Sequence, residues 1–469
     1  MKKTGLFKIL MCVLLSVVLL SWLLPSSYFY MGELMDIGRY RIGFFDIFQF
    51  LFGTFEFQNF VQIFLFILSV GVFYGVLEKT GKYRAWVDKI VASFKGIEWV
   101  LLVIIAVLLA GLTSVFNYGV ILFMFIPFLV GLVLAMGYDK MTAFVATFGA
   151  MLVGNIGSTL SYEVSNSINN AIGISMSTGI VFKLLLLVLT LGLLIFYLVK
   201  AKHTLVNKVE SKVEELVEND LFIGEKSSNK YSVATIIVVF SVLFVLLILG
   251  CTKWSDIFGV NIFENFYNTV MGIKIGEFEI FKNLFGEIAA FGKWYYAEMT
   301  IVLLLSALLV GKCYRMKFTE IGNNMVNGVK KVLKPALLVM LCYAVFYFNA
   351  NSMTYPTIAK FLMGATKNFN FMFTSISMAL GSLEHVDMLY IASYVIPQLA
   401  AGTDNTVTML IISQGIYGVT MLVAPTSVVL VLGLSYLGIP YTEYIKKMWK
   451  YIVIALGIVL ALVVISMLI

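Results

Sequence analysis

Histidine is almost missing from this chain, with only His203 and His385, and the four cysteines, Cys12, Cys251, Cys313 and Cys342, stand far apart. No zinc, haem or iron–sulfur spacing can be built from them, and no HExxH-type motif or nucleophile–base set accompanies them. Neither a cofactor nor an enzyme is therefore expected. Charge is scarce as well: 13% of residues are charged against 61% hydrophobic, with a mean hydropathy of +0.96. A soluble domain carries roughly twice that share of charge, and several apolar runs here reach the length of a bilayer span. The fold class expected is an all-α polytopic membrane protein, with the lipid bilayer and a small-molecule substrate as partners. The formal charge of +7 is spread over loops, which reads as an orientation signal and not as a nucleic-acid footprint. The first segment, Lys2 to Leu24, has a basic start and an apolar run, but Ser21 to Pro25 offers no small-x-small cleavage site, so it is expected to stay as a span.

Span one, about 5–24, starts beside Lys2, Lys3 and Lys8, which puts the N-terminus in the cytoplasm. Residues 25–58 are expected outside, along the interface. A span at about 59–78 returns to a basic amphipathic segment with Lys79, Lys82, Arg84, Lys89 and Lys95, and Glu78 is expected to pair with Lys79 or Lys82. A charged cytoplasmic linker at 200–231, containing Lys208, Glu210, Lys212, Glu214, Glu215 and Glu218, follows a first repeat, 1–199. Beyond it come a parity-reversing span and external loop, 232–296, and a second repeat, 297–469. Trp294-Tyr295-Tyr296 reads as the outer aromatic belt, and an amphipathic stretch with Lys330, Lys331 and Lys334 precedes a span at about 335–350. Counting crossings gives nine full spans, two re-entrant hairpins and a C-terminus outside, in a bacterial inner (cytoplasmic) membrane.

Two stretches echo each other at one constant offset: Gly111 and Gly381, Ile121 and Ile391, Ile126-Pro127 and Ile396-Pro397, Met151-Leu152-Val153 and Met421-Leu422-Val423. In each, an apolar arm runs into a polar tip, Thr113 to Asn117 or Ser382 to Asp387, and returns. The first arm, Trp99 to Leu112, is roughly 20 Å long at 1.5 Å per residue, too short for a core of about 30 Å. Hairpins at about 98–137 and 370–401 are therefore expected to dip in from opposite faces. Each precedes a helix, about 141–164 or about 406–438, interrupted at Gly154-Asn155-Ile156-Gly157-Ser158-Thr159 or at Ala424-Pro425-Thr426-Ser427. Paired interruptions in matching halves point to a transporter's binding site.

Gly75-Val76-Leu77-Glu78-Lys79-Thr80-Gly81, the Gly154 to Thr159 break and the closing Gly433-Leu434-Ser435-Tyr436-Leu437-Gly438-Ile439-Pro440-Tyr441 resemble the YfcC-like and C4-dicarboxylate-carrier branch of the ion transporter superfamily. The likeness covers roughly residues 59–200 and 319–469. It implies inverted repeats with two re-entrant hairpins and two broken transmembrane helices. It also implies movement of C4-dicarboxylates, short-chain carboxylates or basic amino acids, several by exchange, and a homodimer with a moving transport domain. The chain departs from that branch at both tips: Asn117-Tyr118 stands where an acidic pair is usual, and Glu384 to Asp387 where small residues are.

Return arms and second half-helices begin with unpaired N–H groups and a positive dipole end. Four such starts, after Asn117, Thr159, Asp387 and Ser427, would suit a carboxylate. Ser114, Asn117, Asn155, Ser158, Thr159, Thr426 and Ser427 supply neutral hydrogen-bonding side chains, and no basic residue sits at either tip. Glu384 and Asp387, three apart, would face the same way on a helical turn. Two acids at bilayer depth imply a cation, a proton or a water path, so they would bind an ammonium or guanidinium or carry the coupling proton, with His385 as a relay. Plainer readings stand beside these: Asp387 as an N-cap, Glu384 in a wet vestibule, His385 as a hydrogen-bonded turn residue, Asn155 and Pro425 as shapers of the breaks. The first function expected is a basic amino-acid exchanger of the arginine/ornithine type. The second is a C4-dicarboxylate or short-chain carboxylate symporter or exchanger, coupled to H+ or to Na+ near Asn117, Asn155 and Asp387. A channel stays open as a further class.

Overall fold

Inside a bilayer every backbone N–H and C=O must find its partner within the protein, and the apolar runs of this chain meet that demand as helices. The computed structural model describes residues 5–30, 33–48, 58–116, 118–205, 221–224, 231–286, 288–365, 369–385 and 387–468. In chain order these are α1 (Leu6–Leu23), an antiparallel ribbon of β1 (Ser26–Tyr30) and β2 (Glu33–Gly38), α2 (Gln58–Glu78) and α3 (Tyr83–Ser93). The first hairpin follows as α4 (Glu98–Phe116) and α5 (Ile126–Ala135), then α6 (Lys140–Ile156), a short α7 (Ser167–Ile172) and α8 (Ile180–Leu205). After the linker come α9 (Ala234–Cys251), α10 (Tyr296–Cys313), α11 (Phe318–Ser352) and α12 (Tyr355–Met363). The second hairpin is α13 (Phe371–Glu384) and α14 (Met388–Ala400), and α15 (Thr406–Met421), α16 (Val428–Leu437) and α17 (Tyr441–Leu468) complete the chain. Among the described residues, eight helices are long and apolar enough to cross a membrane.

The two hairpins open to opposite faces. α5 returns beside α3, where Trp86 and Phe128 stack at 4.4 Å, so the first hairpin has its base at the face where α2 ends. The second is anchored past the end of α1: Thr357 of α12 bonds the Pro25 carbonyl at 2.9 Å and Ser27 Oγ at 2.7 Å.

Two expectations give way to the fold. The first arm was expected to stop at Leu112, yet α4 runs 19 residues to Phe116, about 28 Å. Thr113 and Ser114 do not end it, because the Ser114 carbonyl and hydroxyl are bonded by the neighbouring broken helix, to the Thr159 amide at 2.8 Å and the Gly157 carbonyl at 2.6 Å. The hairpin consequently reaches the far end of α9, where the Tyr118 and Thr252 hydroxyls meet at 2.5 Å. Secondly, the basic amphipathic stretch and the span at 335–350 are one 35-residue helix that runs through Pro335. Glu78, expected to pair within its own turn, also reaches across to Lys331 on α11 at 2.8 Å. Within the segment expected outside the membrane, residues 26–38 form the ribbon of β1 and β2. The linker residues Lys208, Glu210, Lys212, Glu214, Glu215 and Glu218 lie outside the described residues. The described linker segment, 221–224, buries Leu221 and Phe222, with the Lys331 ammonium 5.0 Å above the Phe222 ring.

α2 and α11 run antiparallel and meet at backbone distance. A Cβ on Gly75 would sit 2.7 Å from Gly328 Cα, and one on Gly328 would sit 2.8 Å from both the Gly71 carbonyl carbon and Gly75 Cα. Small residues are what let two backbones approach this way in lipid, where apolar surface alone does not drive helices together. The aromatic stack of Phe60 on Tyr343, at 4.2 Å, extends the same seam. We expect Gly328→Ala to destabilise the protein by about 1–3 kcal/mol, the cost of forcing extra volume into a packed contact. Gly111→Ala, where an added methyl meets nothing within 4 Å, should leave the midpoint unchanged or raised. Thermal unfolding of the two variants in detergent makes the comparison.

Candidate functional site

The two long helices α6 and α15 stop inside the protein, and each stop exposes carbonyls that the helix no longer satisfies. α6 ends at Ile156, and the chain resumes helical form at Tyr162, where Ser161 Oγ accepts from the Ser165 amide at 3.2 Å. The interruption begins at Gly157, three residues later than the expected Gly154. Gly154 is helical, and its missing side chain serves close packing: a Cβ there would lie 2.6 Å from the Ala110 carbonyl of α4. Gln414, from α15, closes the open end of α6 by donating Nε2 to the carbonyls of Ile156 at 3.1 Å and Ser158 at 2.8 Å. α15 itself stops at Met421, and α16 starts at Val428. The freed carbonyls there accept from tyrosines of α17, Tyr444 to Leu422 at 2.8 Å and Tyr441 to Val423.

A cavity of about 130 Å³ lies where these interruptions and the two hairpin tips converge. Gly119 and Val120 come from the first tip, Asp387 and Met388 from the second, Leu152 and Asn155 from α6, Glu163 and Val164 from just past its break. α15 and α16 contribute Tyr417, Met421, Ser427, Val428 and Val429. The remaining wall is Tyr295, Tyr296 and Tyr343 from the starts and seams of α10 and α11. Tyr295 donates its hydroxyl to Glu163 Oε1 at 2.7 Å. Asp387 accepts the Tyr390 amide at 3.0 Å as the cap of α14, and Asn155 Oδ1 is buried without a hydrogen-bond partner among the described residues. The lining thus offers phenolic and hydroxyl donors, an amide and two carboxylates in a space suited to a small solute.

Of the residues singled out from the sequence, Asn155, Asp387 and Ser427 line this cavity. Ser114, Ser158 and Thr159 lie behind it and knit the first break to α4: Ser158 meets Ser161 at 2.5 Å, and Thr159 Oγ1 donates to the Ser114 carbonyl at 3.2 Å. Thr426 is buried, its hydroxyl without a partner among the described residues. Asn117 lies outside the described residues, so of the three sodium candidates only Asn155 and Asp387 are seen to share a space. The helical turn expected to align Glu384 with Asp387 does not form. α13 ends at Glu384, and His385 and Asp387 have extended backbone, which turns their side chains different ways. His385 packs among the rings of Phe346, Tyr355 and Tyr390, and its Nε2 is 3.9 Å from Glu384 Oε2, beyond hydrogen-bond reach for a relay. The Glu384 carbonyl accepts from Asn349 Nδ2 at 2.6 Å. Asp387 therefore does act as a cap, and it also faces the cavity.

Sequence reasoning missed Glu163, Gln414, Tyr343, Tyr417 and the site role of Tyr295 and Tyr296. Glu163 did carry a signal, an acid inside the second half of a broken helix. Tyr295 and Tyr296 had the composition of an interfacial belt, and only the fold turns them inward.

Residues 5–468 match the family model described as the C4-dicarboxylate anaerobic carrier, DcuC. A 140-residue stretch, 29% of the chain, is 34% identical to an uncharacterized protein of Haemophilus influenzae and covers 27% of that protein's length. The chain is similar over 99% of its length to the crystal structure of the Alcanivorax borkumensis YdaH transporter, covering 97% of that chain at a TM-score of 0.42 and 14% identity.

Gln414→Leu keeps the side-chain volume and removes both hydrogen bonds to the end of α6. We expect it to cost about 1–3 kcal/mol, the penalty of leaving buried carbonyls unpaired, read as a lowered unfolding midpoint.

Proposed function

We propose that this chain, which belongs to the C4-dicarboxylate anaerobic carrier family, is a secondary carrier that binds a C4-dicarboxylate in the cavity between the two hairpin tips. The observation that carries the reading is the convergence of Asn155, Asp387, Ser427 and the tyrosines in one small space. α16 starts beside it at Val428, and a helix start of that length favours a carboxylate through its free N–H groups and dipole. Asn155 and the phenols add further polar contacts.

Charge sets the coupling. A dicarboxylate entering beside Glu163 and Asp387 brings like charges into a low-dielectric space, which is unfavourable until cations or protons neutralise them. Symport with Na+ or H+, the ion held near Asn155 and Asp387, follows from that repulsion. The basic amino-acid exchanger, first choice on sequence alone, rested on Glu384 and Asp387 acting as a pair. The cavity has Asp387 without Glu384, and membership of a dicarboxylate family favours the other reading.

The tyrosine wall and the hairpin-and-break wall come from different helix sets, and this supports alternating access by movement of one against the other. The basic residues Lys8, Lys330, Lys331 and Lys334 support a cytoplasmic N-terminus.

Uptake into liposomes tests the reading. Labelled succinate should enter when a sodium or proton gradient is imposed and be competed by malate but not by arginine. Asp387→Asn should weaken the dependence on the coupling gradient more than it weakens folding. Arginine uptake accelerated by internal ornithine, with no succinate uptake, would falsify the proposal.

A further inference from the structure

Among the described residues, Lys183 is the lone lysine or arginine with its surface almost wholly buried, 1% exposed. Partly buried Lys331 has the Glu78 carboxylate at 2.8 Å, but Lys183 has no carboxylate within ion-pair distance among the described residues. Its place on the first turn of α8 would allow the head to snorkel outward to water. Instead the ammonium turns inward, to Ser165 Oγ and to Asn169 Oδ1 at 3.2 Å.

Both acceptors are oriented before the lysine meets them. Ser165 gives its own proton to the Thr159 carbonyl at 2.9 Å, so what it presents to Lys183 is a lone pair. Asn169 donates Nδ2 to the Ser175 carbonyl at 2.8 Å, which aims Oδ1 the other way, at the ammonium. Ser165 and Asn169 are themselves 0% and 1% exposed. The Thr159 amide continues the chain of bonds to Ser114 in the first hairpin at 2.8 Å. A buried charge is tolerated only where polar groups surround it, and neutral oxygens turned as acceptors toward one point are the surroundings a monovalent cation requires.

We infer that Lys183 is a built-in monovalent cation. Its tethered ammonium fills a site of neutral oxygens just beyond the first helix break and holds that half of the broken helix in place for an anionic solute. No ion from solution is needed at this position, which is separate from the one at Asn155 and Asp387. The inference rests on the carrier reading but not on which carboxylate is carried.

Two variants test it. Lys183→Ala leaves Ser165 and Asn169 facing an open space the size of a small cation, and Lys183→Met fills that space without charge. Purified wild type and both variants are measured for thermal unfolding and, after reconstitution, for labelled succinate uptake under the gradient that drives the wild type, with and without methylammonium. Both variants should lose about tenfold in uptake, the factor carried by one charge-assisted hydrogen bond. Methylammonium should restore uptake and raise the unfolding midpoint in Lys183→Ala alone. The inference is overturned if Lys183→Ala does not respond to methylammonium, or if Lys183→Met transports like wild type. If the wild type takes up no succinate, the dicarboxylate reading fails separately, and the midpoints with methylammonium still decide the role of Lys183.

Discussion

Gln414 bridges the two interrupted helices, donating from α15 to the carbonyls of Ile156 and Ser158 at the open end of α6. The protein depends on this kind of bond because it has placed non-helical backbone where lipid offers no partner. Gly418, one turn further along α15, gives up its side chain so that the end of α6 can pass: a Cβ there would lie 2.8 Å from the Ile156 amide nitrogen. The second break is held from another direction, by Tyr441 and Tyr444 at the start of α17. Side chains of the second half of the chain thus supply what both broken helices lack, and the opening between the breaks can stay polar without unravelling the helices that frame it.

A different kind of contact holds the other wall. Gly71 and Gly75 against Gly328 bring α2 and α11 together at backbone distance, Glu78 and Lys331 pin one end, and Phe60 on Tyr343 closes the other. Phe66 of α2 lies 5.6 Å from Tyr296 of α10. Tyr295, Tyr296 and Tyr343 are therefore mounted on a seam of long helices, while Asp387, Glu163, Tyr417 and Ser427 sit on short or interrupted elements. The Tyr295 to Glu163 hydrogen bond joins these two groups across the cavity. In the proposed function a bound solute would touch both.

The approximate position of the helix breaks was visible in the residues because glycine, proline and small polar side chains cluster there. Depth was not visible. Thr113 and Ser114 look like a turn when read alone, and they continue a helix only because a distant segment bonds them. Glu384 and His385 look like site residues on the same reading, but past the end of α13 the extended backbone sends His385 among aromatic rings, and of the three only Asp387 lines the cavity. Trp294-Tyr295-Tyr296 shows the reverse, a pattern typical of a membrane interface whose last two members face a polar space.

By itself the sequence determined the class of molecule: apolar run length and the scarcity of charge leave a helical membrane protein as the outcome, since those quantities are summed over many residues and no single contact can overturn them. Tertiary structure alone decided which side chains meet. At irregular backbone no period of 3.6 or 2 fixes side-chain direction, so the joining of Glu163 to Tyr295, Gln414 to Ile156 and Lys183 to Ser165 follows from packing between segments far apart in the chain.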